Sequence, residues 1–252
     1  MIASLLSWFT DAETWAGESG IGNRLLEHLW YTLATMVVAM VLAVPAGLWV
    51  GHTGHARWLV TVANSLRAVP TLGLLLAASL WLRTLPGDLA YVVPSIAVLA
   101  LLAIPPVLAG TYGGIEAVDP AARDAAYGVG MRGRQVLWQV EVPNALPLIL
   151  SGVRSAVLQV VATATIAAIV GLGGLGRFII DGLALSDYAQ AGGGALLVAV
   201  LALALEGLLA LVQRRLVSPG LSGRPVGGSR KDDEDAPREE PGESTVDLRT
   251  PA

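Results

Sequence analysis

Read as an alternation of apolar and polar stretches, the chain separates into five apolar runs, at about residues 28–50, 58–82, 89–112, 145–170 and 195–216. Each reaches the roughly twenty residues that a helix needs to cross a bilayer core. The pattern predicts an all-α integral membrane protein of about five transmembrane helices. One connection departs from the rest. Residues 120–144, PAARDAAYGVGMRGRQVLWQVEVPN, are polar and charged in the middle of an apolar chain. Asp119 is placed to cap a helix and Pro120 suits its first position, where a missing N–H is not needed. Ala121, Ala122, Ala125 and Ala126 favour helix. Gly128, Gly130 and Gly133 then make continuation costly and permit a sharp bend. A second helical run carries Val136, Leu137 and Val140 on one side, and Pro143 is expected to end it, because the residue before a proline is pushed out of the helical region. Two short helices with a break between them make a docking device.

Composition supports the membrane assignment. The chain is 54% hydrophobic and 14% charged, against about a quarter charged in an ordinary soluble domain. It has no cysteine, which excludes disulfides, thiolate metal sites and cysteine nucleophiles. The net charge of −4 comes largely from the tail at 218–252, rich in Pro, Gly, Glu, Asp and Ser, which is expected to be disordered. Residues 1–27 form an amphipathic entry segment whose tryptophans suit a membrane interface. They lack the basic start of a secretory signal. The transmembrane domain then spans 28–217. Arg57, Arg123, Arg132, Arg134, Arg214 and Arg215 fall in one set of connections, and only Arg24, Arg83 and Arg177 in the other. The arginine-rich set is expected to be cytoplasmic. That puts the N-terminus outside, with the 120–144 loop and the C-terminus inside.

Within the apolar runs, Pro45, Pro70, Pro94, Pro105 and Pro106 predict kinks. Arg67, Arg154 and Glu206 are ionisable groups at or near membrane depth, where such groups face a bundle interior or a watery cavity. Arg154 reads best as a structural or snorkelling group, and Glu206 equally as structural or as lining a path. Thr163 and Thr165 can hydrogen-bond across helices or line a path, with packing favoured. Asn64, Arg67, Pro70, Thr163, Thr165 and Glu206 are thus the candidates for a path or gate. The run GLGGLG at 171–176 spells a dinucleotide fingerprint, but an entire span precedes it where the fingerprint needs a short strand. A tight turn between spans accounts for it. His52 and His55 lack a third ligand, so they read as residues of a solvated loop and no metal site is expected.

The sole lysine, Lys231, is followed by Asp232, so no Gly-Lys-Ser/Thr phosphate loop exists in this sequence. If transport is ATP-driven, another chain binds the ATP. Against that background the loop carries a specific spacing: Asp124-Ala125-Ala126, three residues, Gly130, nine residues, then Val140-Glu141-Val142-Pro143. It resembles the EAA loop of ABC importer permeases, Glu-Ala-Ala, three, Gly, nine, Ile-x-Leu-Pro, with Asp for Glu and Val for both aliphatics. HLWYTL, NSLRAVPTL, GTYGGIEAVDPAARDAAYGVGM and ATATIAAIVGLGGLGRFIIDGLAL extend the resemblance over about residues 28–220, toward the glycine betaine/choline (osmoprotectant) subfamily.

The resemblance implies the type I ABC importer permease fold (MetI-like), with a second permease subunit, cytoplasmic ATPase subunits and an extracytoplasmic binding protein. It implies that Asp124, Ala125, Ala126, Gly130, Val140, Val142 and Pro143 dock the ATPase. It also implies that ATP and Mg bind the partner, with no cofactor on this chain, and that the solute is a quaternary ammonium osmolyte. No nucleic acid is expected as a partner. The rival readings are an importer for an amino acid such as methionine, an ATP-independent carrier, and a membrane oxidoreductase using the glycine stretch.

Overall fold

The computed structural model describes residues 2–217; the expectation for the tail at 218–252 lies outside the described residues. The helices in chain order are α1 (Ile2–Thr10), α2 (Ala12–Trp15), α3 (Ile21–Thr53), α4 (Trp58–Ser65), α5 (Thr71–Trp81), α6 (Leu89–Glu116), α7 (Pro120–Gly128), α8 (Gly133–Val136), α9 (Val142–Ala167), α10 (Gly176–Ala184) and α11 (Tyr188–Leu216). Among the described residues, four unbroken runs are long and apolar enough to cross a membrane: α3, α6, Gly133–Val170 and α11.

The second apolar run, expected as a single span at 58–82, is a broken one. It is two helical arms, Trp58–Ala68 and Thr71–Trp81, bent by 92°. Pro70 is the cause. Val69 before it is extended, at φ −75° and ψ 129°, because the proline ring clashes with a helical predecessor. Each arm is about 16 Å long at 1.5 Å per residue, so neither crosses a core of about 30 Å by itself. Pro45, Pro94, Pro105 and Pro106, in contrast, lie inside continuous helices.

The spans also begin and end beyond the expected limits. α3 starts at Ile21, so Arg24 and Glu27 belong to it and not to a separate N-terminal segment. With 33 residues it is about 50 Å long and must project beyond the hydrocarbon. Its end at Thr53 carries His52 toward the 120–144 loop.

α3, α6 and α9 form the centre. Met36, Ala39, Ala43, Ala103, Val107, Leu108, Ala156 and Val160 are buried in one cluster between them. Small residues set the spacing, as suits helix packing where lipid offers no hydrophobic contrast. A β-carbon at Gly110 would lie 2.8 Å from the Gly152 Cα, and one at Gly152 would lie 2.6 Å from the Pro106 carbonyl oxygen. α5 packs on this centre through Leu75, against Leu99, Leu102 and Ala164. α1 does not stand apart as an entry segment. Trp8 meets Phe178 edge-on, ring centroids 5.4 Å apart, and joins the cluster of Leu175, Phe178 and Leu201.

Candidate docking site

The loop is built from the bottom as its residues require. Asp119 accepts a hydrogen bond from the Ala121 N–H at 2.9 Å and Pro120 occupies the first turn of α7. The helix closes through Val129 N–H to Ala125 carbonyl, Gly130 N–H to Tyr127 carbonyl and Met131 N–H to Ala126 carbonyl. Gly130 takes φ +87° in that turn, a conformation that glycine adopts without a β-carbon penalty. α8 then starts with the Arg132 N–H donating to the Gln135 side chain at 2.8 Å.

The expected end of the second helix at Pro143 is not observed. Val142 keeps helical angles, φ −60° and ψ −47°. The chain runs from α8 through a π-helical segment, Leu137–Glu141, directly into α9. The wider turn removes the conflict. A proline ring normally clashes with the carbonyl four residues back, here that of Gln139, and leaves it without a donor. A π turn shifts the bonding pattern by one residue, and Pro143 falls in the first turn of α9.

The seven residues expected to dock therefore divide. Asp124, Ala125 and Gly130 are exposed, whereas Ala126 is buried and turns inward. Val140 and Val142 are half-buried; Val142 packs on the cluster of Leu48, Ile115, Ala145 and Ile149. Pro143 is exposed at the root of α9. Beside the exposed motif residues stand Tyr127, Trp138 and Val129, the last 80% exposed. An exposed valine and two exposed aromatics within one short loop leave apolar surface that a partner can cover.

The residue that local patterning misses is Glu141. It is 2% exposed. One carboxylate oxygen accepts from His52 Nδ1 at 2.6 Å, and the other pairs with Arg123 Nε at 3.0 Å. Arg123 also donates to the Ile115 carbonyl at the end of α6. His52 is thus no residue of a solvated loop; His55 is exposed, as expected. The one available signal was a lone acid between valines.

Residues 43–223 match the family described as the binding-protein-dependent transport system inner membrane component. The chain belongs to this family. The osmoprotectant import permease OsmW of Salmonella typhimurium is 33% identical over 202 residues, covering 80% of this chain and 94% of that protein. The carnitine transport permease OpuCB of Listeria monocytogenes is 32% identical over 214 residues, covering 82% and 94%. Among solved structures, an inward-facing MetNI methionine ABC transporter matches with a TM-score of 0.68 at 20% identity, over 79% of this chain and 96% of that one. At that identity the likeness is one of fold, which is the expected type I importer permease fold.

In this permease the path candidates are not gathered at one place. Asn64, Arg67 and Pro70 are exposed along the bent arms of the 58–81 run. Thr163 and Thr165 donate to carbonyls of their own helix, Gln159 at 2.7 Å and Ala162 at 2.6 Å, and make no bond across helices. Gln159, not among the candidates, does bond across, to the Leu102 carbonyl at 3.0 Å. Glu206 pairs with Arg154, tying α11 to α9, so the structural reading of both charges fits their geometry.

The glycine stretch is a turn between α9 and α10, with Gly171 at φ +99° and Gly174 at φ +83°. Glu27 holds it: its carboxylate accepts from the Gly174 N–H at 2.7 Å and pairs with Arg24 at 2.9 Å. Replacing Glu27 by alanine should weaken this turn by about 1.5–3 kcal/mol, the usual worth of a hydrogen bond to a charged group. Faster amide exchange at Gly174, with α6 unaffected, is the expected readout.

Proposed function

We propose that this permease is the translocating subunit of an ATP-driven importer for a small quaternary ammonium osmolyte such as glycine betaine, choline, carnitine or proline betaine. The observation that carries the solute class is the pair of relatives named for osmoprotectant and carnitine transport, each matched over 94% of its own length. The methionine transporter resembles this chain in fold alone, so it gives the amino-acid reading no matching support.

The energy source lies on another chain. The sole lysine is Lys231, and no phosphate loop can be built around it. Separate ATPase subunits, holding ATP and Mg, dock from the cytoplasm on the 120–144 loop. Asp124, Ala125 and Gly130 meet them, while Ala126, Val140, Val142 and Pro143 shape the loop from within or at its root. The arginines of this loop and of the end of α11 support a cytoplasmic position for it, with the N-terminus outside. A second permease subunit completes the path, and an extracytoplasmic binding protein delivers the solute. The permease itself holds no cofactor and meets no nucleic acid.

The mechanism is alternating access. ATP binding draws the docked loops together and opens the spans outward; hydrolysis resets them. Such driving requires that contacts at the loop differ between the two states. Vesicles reconstituted with the whole complex should take up labelled glycine betaine only with ATP supplied on the ATPase side. Equal uptake without ATPase subunits would support an ATP-independent carrier. Rescue of growth by methionine, and not by betaine in high salt, would support the amino-acid reading.

A further inference from the structure

We propose that the Glu141 carboxylate is the joint that passes movement of α7 to the membrane spans, acting as a positioning residue. The inference rests on the reading that α7 docks an ATPase subunit.

α7 has few other ties. None of the buried apolar clusters contains a residue of α7, and Ala126 is its only buried side chain. The cluster beneath the loop is made by Leu48, Ile115, Ala145 and Ile149, from α3, α6 and α9. The link from α7 to these three helices is polar. Arg123 of α7 forms an ion pair with Glu141, Nε to carboxylate oxygen 3.0 Å and without hydrogen-bond alignment, and donates its hydrogen bond to the Ile115 carbonyl of α6. Glu141, at the root of α9, binds His52 of α3 at 2.6 Å. One carboxylate thus ties α7 to the ends of α3 and α9, and the same arginine reaches α6.

The chemistry suits a joint that must carry load. Apolar surfaces in contact can slide, whereas the His52–Glu141 hydrogen bond is short and directional, and the Arg123–Glu141 ion pair holds opposite charges together beside it. Burial strengthens it further by excluding water. The π segment ends on Glu141, and such widened turns recur at functional positions of helices. A regular α-helical turn at Leu137–Glu141 would rotate Glu141 relative to α9. The joint also gives a role to the acid that this chain carries between Val140 and Val142.

The test uses the full complex in vesicles, with its ATPase subunits, its binding protein and labelled glycine betaine. Three quantities are read: ATPase subunit retained, ATP hydrolysed, and solute imported per ATP. In Glu141→Ala the ATPase subunit should stay bound and hydrolyse ATP, while import per ATP falls about tenfold or more, within the range of ordinary coupling energies. Glu141→Gln keeps the shape and one hydrogen bond and should fall between Ala and the unaltered protein. It also decides the matter if the alanine variant fails to accumulate. A merely structural role would lower the amount of protein and leave the ratio unchanged; an unchanged ratio overturns the joint. Loss of the ATPase subunit from either variant also overturns it, since Glu141 would then hold the docking face instead of transmitting from it. An unaltered complex that retains no ATPase subunit would sink the docking reading itself, a result separate from any behaviour of Glu141.

Discussion

Gly152→Leu should leave little permease in the membrane. A β-carbon alone at this position would lie 2.6 Å from the Pro106 carbonyl oxygen and 3.0 Å from the Gly110 Cα. These are backbone atoms, which cannot swing aside as a side chain can. Overpacking a core ordinarily costs about 1–3 kcal/mol. Here α6 and α9 would have to separate along their crossing, so the cost should exceed that range. α6 and α9 also bear the small residues that let the central helices approach. The matched control is Gly207→Leu on α11, where a β-carbon meets nothing within 4 Å. Membrane levels by immunoblot and the elution profile in detergent should show near-normal protein for Gly207→Leu. For Gly152→Leu they should show sparse or aggregated protein.

Gly130→Arg should separate the permease from its ATPase without removing it from the membrane. Gly130 sits at φ +87° with open space around the position of a β-carbon. The cost is therefore conformational, about 1–2 kcal/mol for an L-residue held in the left-handed region. The turn can relax only by changing how α7 meets α8. A loss of that size corresponds to about a five- to thirtyfold drop in the properly formed turn, and the arginine adds bulk on the exposed face. Co-purified ATPase subunit should fall accordingly. Gly130→Asn, a residue that tolerates this region, should retain most of it. Equal retention in all three proteins would mean that the turn does not form part of the contact.

Much of this was legible in local pattern. The apolar runs marked the spans because a bilayer demands about twenty apolar residues whatever their packing. Asp119, Pro120 and Gly130 marked the start and end of α7 because caps and left-handed turns depend on the residue itself. Pro70 marked a break, but its 92° angle depends on what each arm packs against. Pro143 misled for a related reason: its effect on the helix depends on whether a neighbouring turn can widen, and residues 137–141 do so.

What stayed hidden was pairing at long range. His52 and Glu141 are 89 positions apart and meet at 2.6 Å. No periodicity within α3 or α9 reports such a contact. Arg154 and Glu206 were each conspicuous as charges at depth, yet only the packing of α11 on α9 matches one to the other. Ala125 and Ala126 are neighbours of identical chemistry, and the direction of α7 alone decides that one faces out and the other in.

If residues 120–144 lie in the cytoplasm against a separate ATPase, a thiol placed on α7 is reachable from that side alone. The absence of cysteine makes one measurement direct. Ala125→Cys places the sole thiol of the chain on the exposed side of α7. In membranes holding the co-expressed complex, a short thiol-to-amine cross-linker should join this permease to its ATPase subunit. The thiol should resist a membrane-impermeant reagent added to intact cells. Ready labelling from outside, with no ATPase adduct, would contradict the account.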